Sequence, residues 1–140
     1  MRITIPKDLG GELRVLPEGP CRAVIEGISI GVSKEGNPKA TVRYLCLTEL
    51  YPKGGEETSI GERILESFSF LPQAVWRLND LFKEAVGEGI PQGDYEESEL
   101  QEILEEGLKG TEWDLILETE VYEGREVTRI QERSKSTKEF

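Results

Sequence analysis

Residues 19–33 read GPCRAVIEGISIGVS, and a change of phase inside this stretch decides the fold. One apolar series occupies odd positions up to Ile25, and a second series occupies even positions from Ile28 onward. The extra residue needed to hold both series on one face falls at Gly27, and glycine is favoured at β-bulges and sharp strand bends. The stretch therefore predicts a long first strand that bends in its middle.

A turn and a returning strand follow the bent strand. Residues 34–39, KEGNPK, have turn chemistry, and the residues after them alternate again as the second strand of a hairpin. A three-residue loop at 36–38 would set Ile28 opposite Cys46. In that register Cys21 lies far along the ladder from Cys46, so we expect no disulfide between the two cysteines.

The remaining pattern completes the order of elements. It predicts a strand at 62–70, a helix at 73–86 ended by Gly87, a short helix from Ser98 or Glu99, a strand at 111–122 and a strand at 126–132. Three strands, a helix and a two-strand hairpin are typical of the OB-fold, a partly open barrel, although other small barrels and split α+β sheets share this order. We expect a mainly β domain over residues 1–133, a five-stranded OB-fold barrel with a helix between strands 3 and 4 and a short extra helix. Residues 134–140 are expected to form a flexible C-terminal tail.

The composition narrows the classes of function. The 140 residues suffice for one domain. The chain has no histidine and only two cysteines, which disfavours zinc sites and imidazole-based catalysis. We therefore expect no enzyme, no metal and no cofactor. No apolar stretch has the length of a membrane span and the start lacks a signal-like core, so we expect a cytoplasmic protein without membrane contact.

The acidic charge of the chain is concentrated in one region. The formal net charge is −11, from 17 basic and 28 acidic residues. Between Glu84 and Glu126 there are 15 acidic residues against only Lys109 and Arg125, which leaves 13 acidic and 15 basic residues elsewhere. A surface that binds a polyanion is therefore expected in the first 83 residues or in the last strand.

Six short segments spread over residues 17–132 suggest a family. They are Pro17–Gly19, Lys34–Pro38, Gly61–Arg63, Leu71–Gly87, Leu108–Gly110 and Tyr122–Glu126. In these segments the chain resembles phage-encoded single-stranded DNA-binding proteins with an OB-fold. The resemblance implies a non-catalytic role in phage or prophage DNA replication or recombination, with replication or recombination proteins as further partners. Phe140 matches the terminal aromatic residue of such families, but residues 134–139 depart from their acidic tail.

Binding of single-stranded DNA requires cations for the phosphates and aromatic faces for the bases. In OB-folds these groups lie on the face of strands 2 and 3 and on the loops 1–2 and 4–5. The candidate nucleic-acid-binding residues are Lys34, Lys39, Arg43, Phe68, Tyr122 and Arg125. Arg43 is predicted on the outer face of the hairpin, and Tyr122 on the outward side of the fourth strand. Phe68 could either stack on a base or fill the core.

A function of another class remains open. An acidic OB-like module could bind basic proteins and no nucleic acid, and the discriminating observation is whether Lys34, Lys39, Arg43 and Arg125 converge on one groove. A pair of carboxylates such as Glu118 and Glu120 could serve an enzyme, but such strand neighbours are typical of solvated charge. The sequence also leaves open whether the chain forms a homo-oligomer.

Trp76 lies outside the apolar stripe of its predicted helix. We expect either the short acidic helix or a partner chain to cover it.

Overall fold

A computed structural model describes residues 15–48 and 60–136, which form one antiparallel sheet and two helices. The elements are β1 (Gly19–Val32), β2 (Pro38–Cys46), β3 (Arg63–Ser69), α1 (Trp76–Val86), α2 (Glu97–Leu108), β4 (Glu112–Tyr122) and β5 (Arg125–Lys135). The five strands lie in the order β3-β2-β1-β4-β5, and the sheet is open, with β3 and β5 at its edges. The predicted mainly β class and the order of elements are confirmed. None of the described helices is both long and apolar enough to cross a membrane.

The bend in β1 occurs where the change of phase predicts it. The pairing of β1 with β2 shifts between Ile25 and Gly27, so Glu26 is the extra residue of a β-bulge. Ile25 and Ile28 are both buried, although an odd number of residues separates them. The bulge therefore keeps one face of β1 in the core while β1 pairs with β2 and β4 on its two sides.

The register of the hairpin differs from the predicted one. The amide of Ser33 donates to the carbonyl of Asn37 at 2.7 Å, which closes a three-residue loop over 34–36 rather than 36–38. Gly36 has φ +83° and takes the left-handed position at the end of this loop, whereas the prediction placed it at the start. Ile28 consequently lies opposite Val42 and not opposite Cys46. This four-residue shift preserves parity, so the inward face is still the predicted one.

The corrected register brings the two cysteines together. Cys46 pairs with Ala23, two residues from Cys21, and the two Sγ atoms are 3.1 Å apart. Both are buried thiols, so the prediction that they lie far apart is wrong. The hydrogen bond with Cys46 and the burial raise the pKa of the Cys21 thiol far above its usual range. Cys21 therefore stays protonated and has little nucleophilic character.

The helices pack against each other beside the sheet. Leu78, Leu81 and Phe82 form the buried stripe of α1, and Gly87 ends this helix with φ +95°, as predicted. Glu96 and Glu99 form a capping box at the start of α2. Near the end of α2, Gly107 lies against Phe82 so closely that an added Cβ would overlap the ring.

A second bulge adjusts the phase of β5. Leu117 pairs with Ile130 and Ile116 with Glu132, so Gln131 is the extra residue. The pairing is regular from Arg125 to Ile130, before the bulge, and Ile130 is the buried apolar residue of this strand. The strand continues to Lys135, so the first two residues of the expected tail belong to β5. Residues 137–140 lie outside the described part of the chain.

Side chains bridge the open side of the sheet. Nη1 of Arg133 on β5 lies 2.6 Å from Oε2 of Glu66 on β3, and the Tyr44 hydroxyl donates to Oε1 of Glu66 at 3.0 Å. Burial, with the nearby Glu66 carboxylate, raises the pKa of Tyr44 well above its usual value, so the phenol remains a donor. The two edge strands thus meet through an ion pair, and no backbone hydrogen bond within the described residues joins them.

Candidate nucleic-acid interface

An ion pair joins the β1–β2 loop to the β4–β5 turn. Nζ of Lys34 lies 2.8 Å from Oε1 of Glu123, and both side chains are exposed. The hydrogen bond from Lys34 lowers the pKa of Glu123, and the hydrogen bond to Glu123 raises the pKa of Lys34. Both groups are therefore charged at neutral pH, and the two loops lie side by side.

Tyr122 and Arg125 lie at the same place, on either side of the β4–β5 turn. They are paired across the two strands, and the residues between them, Glu123 and Gly124, have positive φ as a tight turn requires. Tyr122 is 58% exposed, in agreement with its predicted outward direction. Lys34, Tyr122 and Arg125, hereafter the loop cluster, therefore combine two cations with one accessible aromatic ring.

The outer face of β2 carries the other two predicted cations. Lys39 and Arg43 point to the same side of the strand, four residues and about 13 Å apart. Lys39 has small neighbours on both sides, Gly31 on β1 and Ser69 on β3, whereas Arg43 lies between Gly27 on β1 and Leu65 on β3. The backbone is therefore accessible beside Lys39.

Arg43 is held by a carboxylate at the bulge of β1. Oε1 of Glu26 lies 2.8 Å from Nε of Arg43 and 2.5 Å from Nε of Arg63. Burial tends to raise the pKa of Glu26, but the hydrogen bonds from Arg63 and Arg43 outweigh it and lower the pKa. The guanidinium of Arg43 crosses Gly27, where an added Cβ would lie 2.7 Å from Nη2. Glu26 therefore pairs with both guanidinium groups. The three side chains of Glu26, Arg43 and Arg63 together keep one net positive charge.

A polar cavity of about 280 Å³ opens at the loop end of this face. Lys39 and Arg77 line it together with the hydroxyl-bearing residues Ser67 and Ser69, and Glu35 is also at its wall. We call it the cationic pocket, since two cations and two hydroxyl groups could hold one phosphate. Arg77 was not a predicted site residue, because the periodicity of α1 does not show that its first turn reaches β3.

Phe68 is not available to a base. Its side chain is 1% exposed, and the guanidinium groups of Arg77 and Arg133 each lie 5.4 Å from the centre of its ring. A base could stack on this ring only after one of these groups was displaced. We therefore remove Phe68 from the candidate interface and place it in the core, the other role considered for it.

Five of the six predicted residues lie on the β1–β2 hairpin or beside the β4–β5 turn, and these two parts of the structure meet at the Lys34–Glu123 ion pair. Lys34 lies in the loop that leads into β2, and Lys39 and Arg43 follow it along the outer side of that strand. The ion pair of Lys34 with Glu123 brings the turn that carries Arg125 to the same loop.

Three of the four acidic residues of β4 form ion pairs with other arginines. Arg129 lies 3.5 Å from Glu118 and 3.6 Å from Glu120, and Arg22 lies 3.3 Å from Asp114. These carboxylates therefore neutralise arginines other than the candidate ones. Within residues 15–48 and 60–136, no group of three or more Cys, Asp or Glu side chains is arranged to hold a metal ion.

No protein-family model matches this sequence, and no curated protein matches it significantly. The functional assignment therefore depends on the residues described above.

Proposed function

We propose that the protein binds single-stranded DNA, without catalysis and with little sequence preference, across the loop cluster and the outer face of β2. The observation that carries this proposal is the 2.8 Å ion pair of Lys34 with Glu123, since it unites the two loops that carry Tyr122 and Arg125. A sequence-tolerant site needs such a combination, because cations hold phosphates and an aromatic ring accepts any base.

We further infer that the open sheet is an OB-type barrel with an unclosed edge. Three features support this inference: the strand order β3-β2-β1-β4-β5, the bent β1 that pairs with both β2 and β4, and the helix between β3 and β4. OB-folds bind oligonucleotides on the face of strands 2 and 3, between the 1–2 and 4–5 loops. The candidate residues described above lie on the corresponding elements.

Each residue then has a defined role. The cationic pocket holds one phosphate between Lys39 and Arg77, and Arg43 contacts the strand farther along β2. Lys34 and Arg125 neutralise phosphates at the loops, while Tyr122 stacks on a base, a contact worth about 1–3 kcal/mol. With the resemblance to phage proteins, these roles support a function in phage or prophage replication or recombination.

Titration of a fluorescent oligo-dT strand at several salt concentrations tests the proposal. Five cations contact the strand in this proposal: Lys34, Lys39, Arg43, Arg77 and Arg125. At about 0.7 per phosphate contact they predict a log–log slope of affinity against salt of about −3.5. Duplex DNA of equal length should bind more weakly, since stacking requires unpaired bases. Undetectable binding at low salt, or equal affinity for the duplex, would refute the proposal.

A second function, that of a protein-interaction module, is supported by a separate surface. The molecule has a large apolar groove beside its acidic segment. This surface does not include the loop cluster, so the two functions are compatible.

A further inference from the structure

An apolar groove of about 940 Å³ opens at the end of the molecule that carries the helix–helix connection. It lies between the end of the β1–β2 hairpin, the start of α1 and the segment that leads from α1 to α2. Its apolar lining includes Val32, Phe70, Val75, Trp76, Tyr95 and Leu100. A groove of this size and lining can receive several side chains of a ligand.

Trp76 is the most prominent aromatic side chain of this apolar groove. It is 59% exposed, so the expectation that α2 covers it is wrong, and the alternative, a partner chain, stays a prediction. Its indole N–H donates to the carbonyl of Gln73 at 3.1 Å, which fixes the ring at the start of α1. Val32, which also lines the apolar groove, is 68% exposed. Two large apolar side chains so exposed in one groove indicate a surface for interaction.

The wall formed by the segment between the helices is held in place. Oδ1 of Asn79 accepts a hydrogen bond from the amide of Ile90 at 2.8 Å, and the Tyr95 hydroxyl donates to the carbonyl of Pro91. Gly89 packs onto Asn79 so closely that an added Cβ would lie 2.8 Å from Oδ1. The apolar groove is therefore preformed, which reduces the conformational entropy lost on binding.

The negative charge around the apolar groove indicates the charge of the ligand that it binds. Residues 84–106 contain nine acidic residues and no lysine or arginine. Two of the nine, Asp94 and Glu97, line the groove itself. A polyanion is repelled from such a rim, whereas a cationic chain is attracted to it.

We propose that the apolar groove is a docking site for a basic peptide segment of a partner protein. An aromatic or large aliphatic side chain of the segment packs against Trp76 and Phe70, and flanking lysine or arginine side chains face Asp94 and Glu97. An apolar anchor inside a charged rim is the usual arrangement of a protein-binding hot spot. This inference goes beyond the binding of single-stranded DNA and does not depend on it.

Selection from a random twelve-residue peptide library displayed on phage, with the full chain as bait, tests the proposal. The enriched peptides should combine an aromatic or aliphatic anchor with a net positive charge. A synthetic peptide of the enriched sequence is then titrated by fluorescence polarisation. Trp76→Ala should weaken it by at least about tenfold, as expected for an anchor contact. The double variant Asp94→Lys, Glu97→Lys should weaken it by about fivefold, mainly at low salt.

Tyr122→Ala is the matched control, because Tyr122 is exposed to nearly the same extent but lies in the loop cluster. Tyr122→Ala should leave the affinity for the peptide unchanged and weaken the binding of oligo-dT. Trp76→Ala should leave the affinity for oligo-dT unchanged. Thermal melts confirm that each variant folds. Peptide binding without DNA binding would refute only the proposed DNA binding. DNA binding without peptide binding would refute this inference and, with it, the proposed protein-interaction function.

Three other results would also overturn the inference. The first is failure to enrich peptides, or enrichment of acidic ones. The second is loss of oligo-dT affinity in Trp76→Ala, which would make the apolar groove part of the nucleic-acid interface. The third is self-association in sedimentation that Trp76→Ala abolishes, which would make it a contact between copies.

Discussion

Lys34 and Glu123 belong to different loops, yet their charged atoms are 2.8 Å apart and both side chains are exposed. An exposed pair of this kind adds little to stability. It matters instead because Glu123 competes with a phosphate for Lys34. The same contact that aligns the loops therefore also opposes the binding of a polyanion.

Glu123→Gln should raise the affinity for oligo-dT at low salt by roughly threefold, because Lys34 becomes available and one repulsive charge is lost. Fluorescence titration measures the effect, and the melting temperature should stay within about 1 °C. Glu132→Gln, an exposed position on β5, is the control for net charge alone. Equal gains in both variants would show that the ion pair is not the cause.

Lys39→Gln should weaken oligo-dT by about three- to tenfold and reduce the salt slope by about 0.7, since one phosphate contact is lost. Lys83→Gln removes the same charge from the last turn of α1, outside the cationic pocket. Lys83→Gln should change the affinity for oligo-dT and the salt slope far less. An unchanged slope in Lys39→Gln would exclude Lys39 from the interface.

Glu26→Gln should remove a contribution to protein stability that depends on pH. The pKa of Glu26 in the folded state is lowered from its ordinary value of 4.5, so its stabilising effect is present above that value and is lost as the pH falls through the lowered pKa. Wild type should melt at a higher temperature than the variant near neutral pH. Thermal melts from about pH 7 to about pH 3 should show this difference shrinking, and a constant difference would contradict the assignment.

Gly107→Ala should destabilise the protein by about 1–2 kcal/mol, although alanine normally stabilises a helix by about 1 kcal/mol relative to glycine. The added Cβ would overlap Phe82 and lie 3.0 Å from Cγ2 of Val86. Denaturant unfolding measures the change, and Glu106→Ala at the neighbouring exposed position is the control. Combination with Phe82→Leu should recover part of the loss. A more stable Gly107→Ala would show that the helices separate easily.

The bend of β1 could be predicted because alternation is a local signal, and the bulge beside Gly27 is its direct result. The register of the hairpin could not be predicted from alternation, because a four-residue shift leaves every side chain on the same face. The local feature that favours the observed register is Gly36, whose left-handed conformation suits the last position of a three-residue loop. The contact between Cys21 and Cys46 was missed for the same reason.

The candidate interface was partly predictable. Tyr122 could be found because it ends a strand beside a turn, where both it and Val121 are exposed. Arg77 was missed because its contact with β3 depends on how α1 packs against the sheet. The apolar groove combines three distant segments, and its one visible signal was the position of Trp76 outside the helical stripe.

Pro38, the first residue of β2, borders both the apolar groove and the cationic pocket. Ligands in the two cavities would therefore be separated by little more than one residue. An anionic strand in one and a basic segment in the other would attract each other there, so each would raise the affinity of the protein for the other. Thermodynamic linkage requires the two factors to be equal. A partner segment would thus favour the DNA-bound protein over the free one without touching the loop cluster.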